Sequence, residues 1–511
     1  MPKKGGITML EINNLTIKIN NRYIIKDLSL ILNKNDKLAI IGEEGNGKST
    51  LLKCILGICD YADIKGTINL KENKIGYLKQ SLTDDELKLK VFDYLFKDNN
   101  DYYYKINEFY KYLKIINISD EILNQKINIL SGGEKVKISI LKLLLEGNDI
   151  LFLDEPTNDL DIETLQWLEE FIKSTPKPII YVSHDETLLS KTANMILHIE
   201  QIKKKSECKY TLLKIDYDTY INDRLRLIDK QTKIANNEKR EYKIQEEKLN
   251  KVLQKVENQQ ASISRKDPHG ARLLKKKMHS LKSQEKKLDK VVLTDVPDVE
   301  ESINLYFEKV NIPRNKIILD LNIDKLTVDN KTLSKNIVLN IMGNSHVCII
   351  GKNGTGKTTL IKLIYKELSK RDDIKIGYMP QNYDDILDNY ENVLDFICPS
   401  GKKEDITHAR MFLGNIKFTK EEMTGKIKDL SNGSKAKLFL IKLELDKCDV
   451  LILDEPTRNV SPLSNPVIRD VLKNYNGCII SISHDRKYIN EVIDTVYELD
   501  KNGLHRIDLV N

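Results

Sequence analysis

One set of short motifs occurs twice along the chain of 511 residues, in the same order and at nearly the same spacings. Each copy contains a Gly-rich loop ending in Gly-Lys-Ser or Gly-Lys-Thr, a glutamine, a Leu-Ser-x-Gly segment, an apolar run ending in Asp-Glu-Pro, and a histidine. In both copies the serine precedes the Asp by 23 residues, and the Glu precedes the histidine by 29. Ten landmarks in register predict two copies of one nucleotide-binding domain in a single polypeptide.

The length of the chain fits two domains of about 200 residues each with a connector between them. Each Gly-rich loop follows a strand-like apolar run and precedes a helix-like run, which is the setting that a phosphate-binding loop requires. We therefore expect α/β domains at residues 9–215 and 301–511, joined by a connector at residues 216–300.

Composition narrows the class of protein. At 40% apolar and 31% charged residues, the chain is typical of globular proteins. It contains no apolar run near the ~18 residues that a membrane-spanning helix needs, and its N-terminus lacks the apolar core of a signal peptide. The seven cysteines are scattered without a Cys-x-x-Cys pair, which argues against a thiolate metal site. These features predict a cytoplasmic protein with no membrane partner.

The connector carries the basic charge of the chain. Residues 221–290 contain 20 Lys and Arg against 10 Asp and Glu, so the rest of the chain is acidic although the total is +6. Over residues 223–260 and again over residues 271–292, apolar residues recur every three or four positions among charged ones, which is the spacing of a helix. The segment Asp267-Pro-His-Gly270 separates the two runs. This pattern predicts a long α-helical hairpin with its tip near residues 261–270.

A solvated coiled-coil tether would explain the helical pattern but not the charge near the tip. Residues 261–290 hold 10 basic and 3 acidic residues, an excess that favours a polyanion because cation–phosphate contacts release counterions. We therefore predict nucleic-acid contact by the residues at and after the tip, namely Arg265, Lys266, His269, Arg272, Lys275, Lys276 and Lys277.

The two Gly-rich loops are predicted to hold the phosphates of a nucleotide. Glycines let the backbone turn its N–H groups toward phosphate oxygens, and Lys48 and Lys357 reach the β- and γ-phosphates. Ser49 and Thr358 place hydroxyl groups on Mg²⁺. The predicted nucleotide-binding residues of the loops are Gly42, Glu43, Glu44, Gly45, Asn46, Gly47, Lys48, Ser49 and Thr50 in the first copy, and Gly351, Lys352, Asn353, Gly354, Thr355, Gly356, Lys357, Thr358 and Thr359 in the second.

The acidic residues after the second apolar run suit catalysis of phosphoryl transfer. Asp154 and Asp454 end strand-like runs and are predicted to complete the Mg²⁺ site. The next residues, Glu155 and Glu455, suit a general base or a water-positioning role. An acid that only caps a strand end is the alternative, and its repetition as Asp-Glu-Pro-Thr argues against it. The adjacent Ser-His-Asp residues do not make a hydrolase triad, because neighbours in sequence cannot form one.

The histidines complete the predicted catalytic set. A histidine on its own is more often a satisfied surface residue, but the shared offset of 29 residues favours a γ-phosphate contact for His184 and His484.

Taken together, these motifs resemble those of the ATP-binding cassette superfamily. The resemblance implies an α/β fold with two tandem ABC-type P-loop ATPase domains, ATP and Mg²⁺ as cofactors, and cassettes that face each other head to tail within one monomer. Gln80 and Gln381 are then expected at the Mg²⁺ ions. Each ATP would lie between the loop of one cassette and the signature of the other, contributed by Ser131, Gly132 and Gly133 or by Ser431 and Gly433.

The two copies are not identical. Tyr23 resembles the aromatic residue that stacks on adenine in this superfamily, whereas the second copy has Thr332 at the matching position. The second signature has Asn432 and Ser434 where the first has Gly and Glu, and residues 457–466 replace the usual Thr-Asn-Asp-Leu-Asp. We therefore expect chemically unequal ATP sites.

Tandem cassettes joined by a basic hairpin resemble the ABC-F subfamily. The resemblance implies an ATPase that binds the 70S ribosome at the E site, where the linker contacts 23S rRNA and the P-site tRNA, and that leaves after hydrolysis. The intervals from Gln80 to Leu130 and from Gln381 to Leu430 are 50 and 49 residues, so an extra arm in the first cassette is short or absent. Because the segment after His484 is short, we expect no C-terminal nucleic-acid-binding extension.

The segment Arg458-Asn-Val-Ser-Pro-Leu-Ser-Asn-Pro466 resembles that of antibiotic-resistance, Vga/Lsa-like members of the subfamily. By that resemblance the protein would protect the 50S peptidyl-transferase centre from lincosamides, pleuromutilins and streptogramin A. Two alternatives remain: a housekeeping ABC-F translation factor, and the ATPase subunit of an importer, which the basic hairpin disfavours.

Overall fold

The computed structural model describes residues 7–507 except 20–21, 98, 203–206, 263–267, 292–293, 295–306, 308–309, 311, 329–330, 400 and 416–417. The chain divides into two compact units. One comprises residues 1–217 together with 300–511, and the other comprises residues 218–299. The first unit contains both cassettes, and the second contains the helical connector.

The first cassette consists of a mixed core sheet, an antiparallel sheet and a set of helices. Its strands are β1 Thr8–Ile19, β2 Arg22–Asn33, β3 Lys37–Ile41, β4 Asp63–Asn69, β5 Ile75–Leu78, β6 Ile150–Asp154, β7 Ile179–Val182, β8 Met195–Ile202 and β9 Glu207–Leu213. Its helices are α1 Lys48–Ile55, α2 Asp84–Lys88, α3 Val91–Leu95, α4 Asn99–Ile116, α5 Gly132–Leu145, α6 Ile162–Ser174 and α7 Glu186–Thr192.

The connector forms two long helices, α8 Tyr217–Ser262 and α9 Pro268–Leu288. The first starts earlier than the predicted residue 223. The second starts earlier than the predicted residue 271, since proline is favoured at the first helical position, where its missing N–H needs no partner. Among the apolar residues of the two helical runs, Val256 and Leu281 are buried, whereas others remain exposed, namely Leu225, Ile234, Ile244, Val252 and Leu273. The sequence prediction of a helical hairpin is therefore correct, with ends shifted by a few residues.

The second cassette repeats the first. Its strands are β10 Ile317–Val328, β11 Lys331–Met342, β12 His346–Ile350, β13 Ile376–Met379, β14 Val450–Asp454, β15 Cys478–Ile482, β16 Thr495–Leu499 and β17 Leu504–Ile507. Its helices are α10 Lys357–Leu368, α11 Asp384–Leu387, α12 Val393–Ile397, α13 Lys403–Asn415, α14 Lys420–Thr424, α15 Asn432–Leu445, α16 Asn465–Lys473 and α17 Arg486–Val492. Short 3₁₀ turns precede both α5 and α15.

The core sheets have the same strand order in both cassettes. In the described part of the chain the orders are β5-β6-β7-β3-β8-β9 and β13-β14-β15-β12-β16-β17, parallel except for the last strand of each. The central strands β6 and β14 are buried throughout, as expected of parallel strands covered on both faces. Asp154 and Asp454 lie at the carboxyl ends of these strands, at the same edge of the sheet as the loops that follow β3 and β12. This is the edge at which open α/β sheets bind their ligands.

Each Gly-rich loop turns directly into a helix. Gly47 has φ 89° at the N-terminus of α1, and an added Cβ would lie 2.2 Å from the Ile24 side chain. Only glycine fits that backbone and that space, so the loop must carry it. Among the described residues, none of the helices combines the length and apolarity that crossing a membrane requires.

Candidate functional site

The phosphate loop of the first cassette, residues 42–49, is closed by its own lysine. Lys48 Nζ donates to the carbonyl oxygens of Gly42 and Glu43 at 2.9 and 3.1 Å. Ser49 Oγ donates to Asp154 Oδ1 at 2.8 Å, and Tyr77 OH donates to Asp154 Oδ2 at 3.0 Å. Burial raises the pKa of Asp154, although both hydroxyl groups stabilise its charged form. The structure thus brings together the hydroxyl and the carboxylate predicted for Mg²⁺.

The loop of the second cassette has the same form. Lys357 Nζ donates to Gly351 O and Lys352 O at 2.8 and 3.0 Å. Asp454 is 1% exposed, and burial raises its pKa to about 6. Neither of its carboxylate oxygens has a hydrogen bond of normal geometry to a described residue. Buried carboxylate oxygens at a phosphate loop fit a divalent cation, because Mg²⁺ is bound through one or two carboxylates plus substrate phosphates.

In the first cassette, the glutamate and the histidine predicted to be catalytic form an ion pair. Glu155 follows β6 with φ 51°, a strained conformation of the kind found at functional sites. His184 Nε2 lies 3.0 Å from Glu155 Oε1, and His184 Nδ1 lies 2.9 Å from Val460 O of the second cassette. Both partners are acceptors, so the ring meets both only when both nitrogens are protonated. Burial opposes ionisation of Glu155, but the His184 charge and hydrogen bond hold its pKa below the ordinary value.

The equivalent pair of the second cassette differs. His484 Nε2 lies 3.9 Å from Glu455 Oε1, and Nδ1 is buried without a hydrogen bond to a described residue. Burial and the neighbouring Asp454 raise the pKa of Glu455 to about 8. Burial and Lys357 lower the pKa of His484 to about 4. Near neutral pH Glu155 is therefore a carboxylate, whereas Glu455 and His484 are both uncharged.

Each phosphate loop faces the signature of the other cassette. The arrangement formed by residues 42–49 and the second signature is termed the first site. There the Gly433 N–H donates to Glu44 Oε2, and Lys437 Nζ lies 3.0 Å from Glu43 Oε2. Glu43 also accepts a hydrogen bond from the Ser464 hydroxyl. The first site thus joins the two cassettes, as the head-to-tail resemblance implies.

The second site is formed by residues 351–358 and the first signature. Asn353 Nδ2 donates to Asp159 O, and Lys352 Nζ lies 2.7 Å from Glu163 Oε2. Arg458 NH2 lies 2.8 Å from Asp159 Oδ1. A cavity of about 720 Å³ opens here, and its walls include Lys357, Thr358, Gln381, Asp454, Glu455, His484 and, from the first cassette, Gly132. The volume falls within the range of small-molecule sites.

The predicted signature residues lie at the starts of helices α5 and α15. Ser131 and Ser431 cap them, accepting hydrogen bonds from Glu134 N and Ser434 N. Gly133 and Gly433 are buried at the first turns. A helix N-terminus presents N–H groups and a positive dipole end to an anion, which suits a phosphate delivered from the opposite loop.

The remaining predicted residues differ in exposure. Gln381 lines the cavity, whereas Gln80 is exposed just beyond β5. Tyr23 is 43% exposed, with Lys18 Nζ 5.7 Å from its ring centroid. The loop residues exposed to solvent are Gly45, Lys352 and Gly354, while Asn46 is buried and Thr50 and Thr359 are partly buried. On the connector, His269, Arg272, Lys275, Lys276 and Lys277 are exposed on α9, and Arg265 and Lys266 lie outside the described residues.

Sequence reasoning missed several residues of the sites. Val328, Lys331 and Leu333 line the cavity near the position of Thr332, so apolar side chains stand where the first cassette has Tyr23. Arg458 was noted as a departure but not as a wall of the second site. The signal available for Val328 and Leu333 was their position at the β10–β11 turn, which matches the β1–β2 turn beside Tyr23.

Comparisons with known proteins agree with this geometry. The family model described as ABC transporter matches residues 25–158 and 334–458. The chain is 30% identical to the ATP-binding protein Uup of Buchnera aphidicola (subsp. Acyrthosiphon pisum), covering 97% of this chain and 81% of that protein. It is 27% identical to the ribosome protection protein VmlR of Bacillus subtilis, covering 98% and 88%.

Among solved structures, the archaeal ribosome recycling factor aABCE1, in complex with the stalk protein aP1, shares the fold. Its TM-score is 0.59 at 17% identity, with 95% of this chain and 88% of that chain covered. Two complete phosphate loops, each facing the other cassette's signature, agree with the family match. The chain therefore belongs to the ABC transporter family of ATP-binding cassette proteins, within its ABC-F subfamily, and is an ATPase that uses ATP with Mg²⁺.

Proposed function

We propose that this protein is an ATP-dependent ribosome-binding factor that protects the 50S peptidyl-transferase centre from antibiotics. The observation that carries the proposal is the basic face of α9, where His269, Arg272 and Lys275–Lys277 are exposed on the connector that joins the two cassettes in sequence. Such a surface needs an anionic partner, and cation–phosphate contacts supply most of the affinity for nucleic acid. The partners we propose are the 70S ribosome at its E site, 23S rRNA and the P-site tRNA, in the cytoplasm.

The relatives support two versions of this proposal. VmlR is named as a ribosome protection protein, which favours the drug-linked version with lincosamides, pleuromutilins and streptogramin A as the affected classes. Uup and YdiF, named only for ATP binding, are 30% and 29% identical, so sequence identity does not separate protection from a general role in translation. A housekeeping ABC-F translation factor is therefore the second candidate.

In the chemistry that we propose, ATP binding holds the cassettes together and hydrolysis lets them separate. Glu155 and Glu455 orient the attacking water and accept its proton, and His184 and His484 contact the γ-phosphate. Lys48, Lys357 and the signature serines and glycines bind the triphosphate. Asp154 and Asp454, with Ser49, Thr358, Gln80 and Gln381, hold Mg²⁺. Because each site needs both cassettes, hydrolysis and release from the ribosome are coupled.

The test uses the double variant Glu155→Gln/Glu455→Gln, which removes both proposed bases and leaves the loops intact. It should bind ATP and co-sediment with 70S ribosomes in ATP, since hydrolysis no longer releases it. The control is the same variant with Lys48→Ala and Lys357→Ala, which removes the loop cations and should stay in the supernatant. Failure of the double variant to co-sediment in ATP contradicts ribosome binding.

The drug-linked version needs a separate experiment. Expression of the wild type in a susceptible host should raise tolerance to the three 50S-targeting classes, and the double Gln variant should not. Ribosome binding with unchanged drug tolerance would favour the housekeeping factor over protection.

A further inference from the structure

Three positions of the cassettes carry inverted charges. Equivalent residues of the two cassettes lie 300 positions apart in this region, as Asp154 and Asp454 or His184 and His484 show. At two of these equivalent positions the first cassette has glutamate where the second has arginine. At a third position the first cassette has lysine where the second has glutamate. We term these residues the charge-inverted cluster: Glu169, Glu186 and Lys191 in the first cassette, and Arg469, Arg486 and Glu491 in the second.

The cluster forms ion pairs across the interface between the cassettes. The Arg469 guanidinium binds both carboxylate oxygens of Glu186, with NH2 to Oε2 at 3.2 Å. Arg486 NH2 binds Glu169 Oε1. Arg469 is the equivalent of Glu169, and Arg486 is the equivalent of Glu186. The two ion pairs across the interface are therefore related by the approximate symmetry of the cassettes.

The third position neutralises charge within each cassette. Lys191 Nζ lies 2.9 Å from Glu169 Oε2, and Glu491 Oε2 lies 2.8 Å from Arg469 Nε. Both inner pairs are again inverted in sign. Two further charges face the cluster: Lys487 Nζ lies 3.1 Å from Glu186 Oε2, and Asp185 Oδ2 lies 3.7 Å from Arg486 NH2.

Because the charged side chains of the cluster are buried, the sign of each charge affects whether two cassettes can pair. Glu169, Glu186 and Arg469 are 4%, 6% and 3% exposed. Screening by water and salt is weak for buried charges, and a buried charge that loses its partner is strongly destabilising. If two first cassettes paired in this geometry, Glu169 of one would meet Glu186 of the other. If two second cassettes paired, Arg469 would meet Arg486.

We propose that the charge-inverted cluster is a pairing code, which makes the first cassette fit the second and reject another copy of itself. Specificity of this kind comes from repulsion in the wrong pair as much as from attraction in the right one. The code directs the cassettes of one chain to close on each other and suppresses closure between like cassettes of two chains. It concerns cassette pairing alone and does not depend on the ribosome proposal.

The test changes the code in the full-length chain. Glu169→Arg/Glu186→Arg/Lys191→Glu gives the first cassette the pattern of the second, and Arg469→Glu/Arg486→Glu/Glu491→Lys does the reverse. Each triple variant should lose about tenfold or more of its ATPase rate, since both sites need a closed interface and buried like charges oppose closure. Combining all six changes with Lys487→Thr, which removes the cation that would otherwise meet the new one at position 186, restores opposite signs and should return the rate to within about threefold of the wild type.

The matched control reverses an exposed pair on α10 and the residues after it. Lys370 Nζ lies 2.7 Å from Glu367 Oε1, with side chains 62% and 43% exposed. Glu367→Lys/Lys370→Glu should leave the ATPase rate unchanged. A folded combined variant that stays as inactive as the triple variants overturns the proposal, and so does a triple variant with the wild-type rate.

Two further measurements keep the proposal testable if a triple variant folds poorly. Glu186→Gln, Arg469→Gln and their combination form a double-mutant cycle, in which the combined loss of rate should be smaller than the product of the single losses. Strictly multiplicative losses contradict the code. In sedimentation velocity with Mg²⁺ and ATP, a mixture of the two triple variants should contain a two-chain complex that neither forms alone. A dimer of either variant by itself also contradicts it.

Discussion

Glu155 and Glu455 follow equivalent strands, but the carboxyl group is ionised at one and protonated at the other near neutral pH. The difference comes from their neighbours. His184 lies 3.0 Å from Glu155 and 2.9 Å from Val460 O, while His484 lies 3.9 Å from Glu455 and burial lowers its pKa to about 4. Val460 of the opposite cassette thus contacts the histidine that pairs with Glu155, which sequence identity between the motifs does not reveal.

This difference predicts unequal pH dependence. In a Glu155→Gln variant only the second site has its base, and the raised pKa of Glu455, about 8, means that the base form appears as pH rises through that value. We expect ATPase activity of this variant to rise roughly 25-fold between pH 6.5 and 8.5. The Glu455→Gln variant should change much less, because the pKa of Glu155 is held low. Steady-state rates over this range measure both, and parallel profiles would contradict the assignment.

Glu44 introduces a second difference at the residue scale. Its carboxylate accepts the Gly433 N–H, so it occupies a donor that a phosphate oxygen at this helix N-terminus would use. Glu44→Asn should therefore raise ATP affinity at the first site by about two- to fivefold. Asn353→Glu, the reciprocal change in the second loop, should lower affinity there. Titration with a fluorescent ATP analogue, in variants with the other loop lysine changed to alanine, separates the sites; equal affinities before and after either change would be evidence against competition.

At the scale of elements, the two signature helices start differently. Ser131 and Glu134 form a reciprocal capping box at α5, with Ser131 N to Glu134 Oε2 at 2.8 Å. Ser434 stands in the equivalent place at α15. Its N–H donates to the Ser431 hydroxyl at 3.2 Å and its own hydroxyl accepts from that hydroxyl at 3.2 Å, but the two residues do not form a reciprocal capping box. The first signature is therefore the more firmly fixed of the two.

Removing the capping box of α5 should lower the free energy of unfolding more than removing the Ser434 hydroxyl at the start of α15. We expect Glu134→Ala to lower the free energy of unfolding by about 1 kcal/mol, the usual worth of a lost N-cap interaction. Ser434→Ala, the matched change, should cost less. Urea unfolding of both variants measures the difference, and a larger loss for Ser434→Ala would show that the box adds nothing.

The basic face of α9 is also a property of one element. Lys275→Gln/Lys276→Gln/Lys277→Gln should weaken binding to 70S ribosomes and make the slope of log affinity against log salt less steep by about two units, since each lost phosphate contact removes about 0.7–0.9. Basal ATPase activity should persist. Lys286→Gln/Lys287→Gln, at the other end of the same helix, is the control and should have the smaller effect. An unchanged salt slope in the triple variant argues against phosphate contact by these lysines.

At the scale of the whole molecule, we propose that ATP has two roles, as the substrate and as part of the interface between the two cassettes. Glu43 contacts Lys437 and Ser464, and Asn353 contacts Asp159, so the walls of each site come from both cassettes. A nucleotide that binds such a wall stabilises the pair by linkage.

Mg²⁺ and ATP together should therefore raise the melting temperature of the double Gln variant by several degrees, since ligand at 100 times its Kd contributes about 2.7 kcal/mol. Removal of Mg²⁺ with EDTA should abolish hydrolysis by the wild type and reduce this shift. Differential scanning calorimetry and a phosphate-release assay measure the two effects. Full hydrolysis in EDTA would exclude Mg²⁺ from the roles assigned to Asp154 and Asp454.

The repeated motifs predicted correctly that the chain contains two α/β cassettes and a helical hairpin, because loop, strand and helix patterns are local. The convergence of Ser49 with Asp154 also followed, since both lie at the same edge of one sheet. By contrast, the presence of Val328 and Leu333 in the wall of the cavity depends on tertiary packing. The contact of Arg458 with Asp159 joins residues far apart in sequence, so no spacing rule could identify it.

The sequence by itself determined the family, the cofactors and the position of each phosphate loop, because glycines, lysines and carboxylates at fixed spacings permit little else. Only the tertiary structure decided which charges are buried against each other. Glu186 with Arg469 and Glu169 with Arg486 become pairs when the cassettes meet, and the proton on Glu455 depends on its burial beside Asp454. Coulomb energy depends on distance and on exclusion of water, and both are set by packing across the interface rather than by order along the chain.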